Sequence, residues 1–282
     1  MLTPAIRFFM IKNYLRKSWL AIRLYRTVKN AVVFPLRFTP LRTLQLKNMP
    51  LTDLLRPWKL RLMIAVSSHT KNGYPRLANI YDLATDVERR GLGGAFVECG
   101  TWKGGTTAIM GAVAHRFGDR RATWYLDSFE GMPQPAPEDG GETEEIAGDA
   151  LKASVDDVEK LIFGKLGLPP AHNRIIKGWF EETLPRVKNE IGPIALLRLD
   201  ADWYEATKLI LNELYAQVVP GGWLIFDDYG RWPGCKTAVD EFFAARRLAP
   251  KLSFVGNRGG VYGDRLAPMY FKKPEVQGTK HG

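Results

Sequence analysis

From residue 76 onward the chain alternates between short apolar runs of strand character and amphipathic runs of helical spacing. No other feature constrains the fold as much. Residues 95–98, 123–127, 174–177, 194–200 and 223–227 read as strands, and 79–90, 106–117, 151–166, 181–190, 205–218 and 236–248 read as helices. Strands that are apolar along their whole length are buried on both faces. Alternating with helices, they build a parallel sheet covered on either side. The expected fold is α/β, a Rossmann-like doubly wound sheet, mostly parallel. Residues 252–255 and 269–272 add an antiparallel C-terminal edge.

Composition excludes several classes. At 45% hydrophobic and 25% charged residues, the 282-residue chain has the material for a sizeable core. Its 27 glycines follow no three-residue period, and no longer repeat is evident, so collagen-like, solenoid and propeller folds are out. Cys99 and Cys235 are the only two cysteines, too few for a disulfide framework or a thiolate zinc site. The four histidines show no metal-ligand spacing. A reducing, cytoplasmic location fits this usage.

The net charge of +10 sits at one end. Residues 1–70 carry thirteen Lys or Arg against one acid, Asp53, and the rest of the chain is slightly acidic. A nucleic-acid enzyme would carry its positive charge around the active face instead, so no nucleic-acid partner is expected. Charges interrupt every apolar run here, so no segment is long enough to span a bilayer. Residues 1–75 read as a basic helical N-terminal extension, packed on the core or on a second subunit in a homo-oligomer. A sharper alternative lays residues 1–70 on an anionic membrane surface, peripheral at its inner face. An Arg-rich, acid-poor start also mimics a mitochondrial transit peptide. Residues 76–282 form the second unit. Within it, 133–149 holds three prolines, a Gly140-Gly141 pair and six acids without a base, the makings of an acidic lid loop.

In open α/β sheets, ligands bind beyond the carboxyl ends of the strands, and the chemistry-bearing motifs all fall there. The first runs Val97-Glu98-Cys99-Gly100-Thr101-Trp102-Lys103-Gly104-Gly105, a strand turning through glycines into a helix. It is neither a P-loop nor a G-x-G-x-x-G turn. A carboxylate at Glu98 would repel a pyrophosphate and attract a sulfonium or ammonium, which favours S-adenosylmethionine over a dinucleotide. The plain alternative is a glycine turn with a capping Glu. Asp127 ends the next strand, ahead of Ser128, where an acid can accept both ribose hydroxyls of an adenosine. Gly178-Trp179-Phe180 follows the third strand and offers an aromatic pair to an adenine ring or to the core.

The most specific feature is a pair of strand ends. LRLDADWY closes one strand with Asp200 and Asp202, and GGWLIFDDYG closes the next with Asp227 and Asp228. Consecutive strands of this kind usually lie side by side. Four uncompensated carboxylates on one rim would repel one another, and a bound divalent cation relieves that. All-oxygen ligands favour Mg²⁺, Mn²⁺ or Ca²⁺. Asp200, Asp227 and Asp228 are the candidate ligands. Asp202 is free to act as a base.

The runs VECGTWKGG, LDSFEGMP, LRLDADWYEATK, PGGWLIFDDYG and AVDEFF together resemble the macrocin O-methyltransferase family, from about Gly94 to Phe243. Members are S-adenosylmethionine-dependent enzymes that methylate sugar hydroxyls of natural products. The resemblance implies a methyltransferase fold and a sugar-containing small molecule or glycan as acceptor. It implies cofactor contacts at Glu98, Gly100, Thr101, Asp127 and Ser128, Mg²⁺ on Asp200, Asp227 and Asp228, and Asp202 as general base. Two rival readings remain: a metal-dependent glycosyltransferase using Asp200 and Asp202, and a membrane-associated binding protein without chemistry.

Overall fold

The computed structural model describes residues 49–140, 148, 151–255 and 268–275, together with 23, 27, 28 and 31. Those four residues are helical; the rest of the first 48 residues of the expected basic extension, and residues 141–147 and 149 of the expected lid, lie outside the described residues.

The chain enters the described fold through α1 (Pro57–Val66) and α2 (Tyr74–Arg90). It then alternates through β1 (Ala95–Cys99), α3 (Gly105–Arg116), β2 (Thr123–Asp127), α4 (Val155–Glu159) and β3 (Asn173–Lys177). The series continues with α5 (Phe180–Ile191), β4 (Ile194–Leu199), α6 (Tyr204–Leu214), β5 (Val218–Phe226) and α7 (Pro233–Ala245). Two edge strands follow, β6 (Ser253–Phe254) and β7 (Met269–Lys272). The seven strands lie in the order β3-β2-β1-β4-β5-β7-β6. The first five pair in parallel, while β7 runs antiparallel to both β5 and β6. The doubly wound sheet and its antiparallel edge are as the alternation predicts.

Successive strand residues serve opposite faces. Phe96, Leu196 and Ile225 pack with Leu77, Ile80, Ile109 and Val113 of α2 and α3. Val97, Leu197 and Leu224 pack with Leu184, Ile210, Leu214 and Phe243 of α5, α6 and α7. The reversal of strand order falls between β1 and β4, which opens a crevice at their carboxyl ends.

Helix α7 runs Pro233–Ala245 rather than 236–248, and the larger differences from the sequence expectation lie at α2, α4 and the junction of α6 with β5. Helix α2 begins at Tyr74 rather than 79, because Gly73 and Pro75 suit a first turn and Tyr74 and Leu77 are fully buried. Helix α4 begins at Val155 rather than 151, where Ser154 and Asp157 bond reciprocally as a capping box; the chain then widens into π-helical turns over Lys160–Lys165. Strand β5 begins at Val218, where the sequence reading still had helix, because a 3-10 turn at Tyr215–Gln217 ends α6 early.

The packed core also starts before the composition changes at residue 76. Met49, Leu62, Met63 and Val66 join the cluster beneath α2 and α3. The buried Lys59 ammonium lies 3.2 Å from Asp53 and 3.1 Å from Asp82, and Tyr74 donates to Asp53 at 2.7 Å. Part of the basic excess is thus neutralised inside the fold. Near the crevice, Met132 and Gly148 form an antiparallel bridge, bonded in both directions at 2.8 and 3.1 Å, across the neck of the acidic segment.

Candidate active site

The carboxyl ends of β1, β2, β4 and β5 surround a cavity of about 560 Å³. Gly100, Thr101, Asp127, Ser128, Trp179, Asp200, Asp202, Asp227 and Asp228 all line it. Gly100 turns there at φ +90°, and a Cβ on it would fall 1.8 Å from the Asp200 carbonyl oxygen, so the β1 and β4 ends approach as only glycine allows. Thr101 is buried and its hydroxyl pairs with Thr107.

Asp127 orders the turns around it. One carboxylate oxygen accepts from Trp102 N at 2.7 Å and the other from Phe129 N at 2.8 Å. Burial raises its pKa, and these backbone bonds oppose the rise. The carboxylate keeps acceptor capacity for a ligand hydroxyl. Ser128 braces the same turn, donating to Gly131 O at 3.2 Å and accepting from Glu130 N at 3.1 Å.

Two expected cofactor residues lie off the cavity wall. Glu98 is fully buried, and its carboxylate is taken by Thr106, Thr107 and the Arg198 guanidinium. In this structure the carboxylate faces protein partners rather than the cavity, as a carboxylate at that depth requires. Gly178 shapes the turn after β3, donating from its N–H to Asp127 O at 3.0 Å, and leaves the wall to Trp179 and Phe180.

The four aspartates do converge, with unequal roles. Asp200, Asp227 and Asp228 each offer a carboxylate oxygen, and the three atoms lie within 4.8 Å of one another. Asp202 stands beside this group. Its Oδ1 accepts from Trp232 Nε1 at 2.7 Å and its N–H donates to Asp228 Oδ2 at 3.2 Å. A compact all-carboxylate donor set fits a hard divalent cation.

Two arginines, unmarked in the sequence reading, supply part of the counter-charge. Arg198 is 0% exposed and reaches Glu98, Asp200 (2.8 Å) and Asp227. Arg76 comes from α2 to the other oxygen of Asp227. Against the burial that raises it, these two guanidiniums hold the Asp227 pKa below the ordinary carboxylate value. Asp200 and Asp228 are pushed well up, by burial first and then by neighbouring carboxylates; Arg198 opposes the rise at Asp200 and Arg76 at Asp228. Asp202 is raised by burial, with the Trp232 bond opposing. Arg231 faces Asp202 as a third guanidinium, and five carboxylates against three guanidiniums still leave a negative excess, which suits a dication. The apolar strand around Arg198 was the one available signal: its side chain shares a face with position 200, two residues on.

The macrocin-O-methyltransferase family model matches residues 63–263. Demethyldecarbamoylnovobiocin O-methyltransferase of Streptomyces niveus is 37% identical over 211 residues, covering 71% of this chain and 76% of that protein. Mycinamicin III 3''-O-methyltransferase of Micromonospora griseorubida is 32% identical over 206 residues, covering 71% and 80%. The solved O-methyltransferase NovP aligns with a TM-score of 0.64 at 32% identity, covering 73% of this chain and 83% of NovP. The calicheamicin methyltransferase CalS11 shares the fold, with a TM-score of 0.56 at 20% identity over 83% of this chain and 89% of CalS11.

Proposed function

This chain belongs to the macrocin O-methyltransferase family, and we propose that it moves the methyl group of S-adenosylmethionine to a sugar hydroxyl of a glycosylated natural product or glycan, with Mg²⁺ on Asp200, Asp227 and Asp228. The observation that carries the reading is the triad itself: three carboxylate oxygens within 4.8 Å, on the wall of the cavity that Asp127 and the Gly100 turn also line. Membership of an enzyme family sets aside the reading as a scaffold without chemistry. The glycosyltransferase alternative needs Asp200 and Asp202 as its cation pair, whereas Asp227 and Asp228 complete the oxygen cluster.

S-adenosylmethionine, when bound, supplies an electrophilic methyl. Mg²⁺, when bound, supplies the positive charge that makes an acceptor hydroxyl more acidic. The protein does the rest. Asp127 holds the ribose end of the cofactor through the lone pairs its backbone bonds leave free. Trp179 and Phe180 bound the cavity beside it and exclude water. Asp200, Asp227 and Asp228 fix the cation, while Arg198 and Arg76 keep Asp227 ionised. Asp202 takes the acceptor proton on Oδ2, since Trp232 occupies Oδ1, and burial raises its pKa above the ordinary carboxylate value, which makes it a stronger base. Alignment and charge stabilisation account for the remaining acceleration.

Contact between residues 1–70 and an anionic membrane belongs to the same proposal. The solvent-exposed Leu54, Leu55 and Ile64, beside exposed Arg56 and Arg61, support it. Among the described residues no helix is long and apolar enough to cross a membrane. Sedimentation with phosphatidylglycerol vesicles tests this part.

The cofactor reading is tested by calorimetric titration with S-adenosylhomocysteine. Saturable binding by the wild type, lost in Asp127→Ala, supports it. No binding with Mg²⁺ present or absent removes it.

A further inference from the structure

The turn that carries Asp202 is held from an unexpected direction. Asp202 has φ +55°, a left-handed conformation that a non-glycine residue keeps only where its surroundings enforce it. Immediately after it α6 begins, and the N-cap residue of that helix, Trp203, provides no side-chain cap. The first N–H groups of a helix need acceptors from elsewhere. One comes from Asp139, 65 residues earlier in the chain, whose Oδ1 accepts from Tyr204 N at 2.7 Å. Its Oδ2 accepts from Ala136 N at 2.8 Å. A second bond runs the same way, from Trp203 Nε1 to Pro133 O at 3.0 Å.

Asp139 is 1% exposed, an unusual place for a carboxylate in an acidic surface segment. The fold is cut to receive it: a Cβ on Gly234, in the first turn of α7, would lie 1.8 Å from Asp139 Oδ1. A negative side chain at a helix N-terminus also meets the positive end of the helix dipole. The turn is therefore clamped on two sides, by Asp228 at Asp202 N and by Asp139 at Tyr204 N.

We propose that Asp139 is a positioning residue for Asp202: as the cap of α6, it fixes the left-handed turn that keeps the Asp202 carboxylate on Trp232 and facing the cavity. The proposal rests on the reading of Asp202 as the base that takes the acceptor proton.

The test reads the indole N–H resonances of the ¹⁵N-labelled full chain at one fixed pH, without cation, cofactor or acceptor. Trp232→Phe and Trp203→Phe assign the two signals. Asp202→Ala marks where the Trp232 signal lies once its acceptor is gone. Asp139→Ala is expected to move the Trp232 signal towards that position, and Asp139→Asn, which keeps an oxygen for Tyr204 N, to leave it at the wild-type position. Gly234→Ala, which crowds Asp139 without removing it, provides a second route to the same movement. Retained S-adenosylhomocysteine affinity verifies that each variant is folded. A Trp232 signal that stays in place in Asp139→Ala and Gly234→Ala, while that of Trp203 moves, overturns the proposal: Asp139 would then hold only its own segment. A Trp232 signal indifferent to Asp202→Ala overturns it as well. Failure of the catalytic reading would look different, namely wild-type protein that binds no S-adenosylhomocysteine with these indole shifts unchanged.

Discussion

Glu98 on β1 and Arg198 on β4 are register partners in the sheet and form an ion pair with both side chains fully buried. Arg198 also contacts Asp200 and Asp227, so one guanidinium ties the sheet interior to the cation triad. Removing one partner of such a pair leaves uncompensated charge and costs about 3–5 kcal/mol. Arg198→Met takes a guanidinium from three carboxylates at once, of which only Asp227 keeps another, Arg76, and is expected at the upper end of that range. Glu98→Gln keeps one oxygen for a threonine hydroxyl and leaves no buried carboxylate unpaired, and is expected to cost less. Urea midpoints rank the two variants, and equal small losses would contradict the shared role of Arg198.

Asp227→Asn is expected to abolish divalent-cation binding and methyl transfer while S-adenosylhomocysteine affinity stays within a few fold of wild type. Asp127→Ala is expected to abolish S-adenosylhomocysteine binding, and methyl transfer with it, while divalent-cation affinity stays within a few fold of wild type. Calorimetry with each ligand on each variant gives four measurements. A variant that loses both ligands equally would show that the cation and cofactor subsites are not separate.

Proton linkage follows from the raised pKa values of Asp200 and Asp228. In the cation-free protein these groups hold protons at pH values where ordinary carboxylates are ionised. Cation binding needs the carboxylate, so Mg²⁺ binding is expected to release protons and to tighten as pH rises. Stability has the matching sign. A raised folded-state pKa means that the folded protein binds more protons than the unfolded chain, so these two groups contribute less stability as pH climbs above the ordinary carboxylate range. Asp227, whose pKa is lowered, contributes in the opposite sense. Calorimetry in two buffers of different ionisation enthalpy measures the release. Apparent binding enthalpies that do not depend on buffer would contradict it.

Gly100→Ala places a Cβ 1.8 Å from the Asp200 carbonyl oxygen at φ +90°. The left-handed backbone alone costs about 1–3 kcal/mol, and the β1 and β4 ends must also separate. A lower melting temperature and weaker S-adenosylhomocysteine binding are expected together. Wild-type values for both would mean that the two strand ends do not approach as described.

What the sequence revealed was local. Apolar runs ending in acids placed Asp127, Asp200, Asp227 and Asp228 at strand termini, and sheet topology then brings such termini to one crevice. What it hid depended on distance along the chain. Arg76 meets Asp227 across 151 residues, and Arg198 meets Glu98 across 100, so no spacing rule connects them. Repulsion among the acids, which made a cation attractive from sequence, is already part-relieved by those two guanidiniums. The partner of Glu98 was hidden for the same reason: Arg198 lies on another strand. The boundary between α6 and β5 was obscured because the 3-10 turn at Tyr215–Gln217 continues helix-like patterning past the last α-helical residue.

The Met132–Gly148 bridge brings two points sixteen residues apart in sequence into direct backbone contact. Whatever lies between them behaves as a cassette whose ends are fixed before its contents are chosen. Loop closure scales slowly with length, about 0.6 kcal/mol for each doubling, so lengthening the span after Gly140 leaves the strands that bear the triad undisturbed, provided Pro133 and Asp139 keep their bonds to Trp203 and Tyr204. Pro133 and Asp139 lie inside this span and bond to Trp203 and Tyr204 beside the Asp202 turn, so an exchange of residues between the two joints leaves the methyl-transfer chemistry intact only where it spares those two.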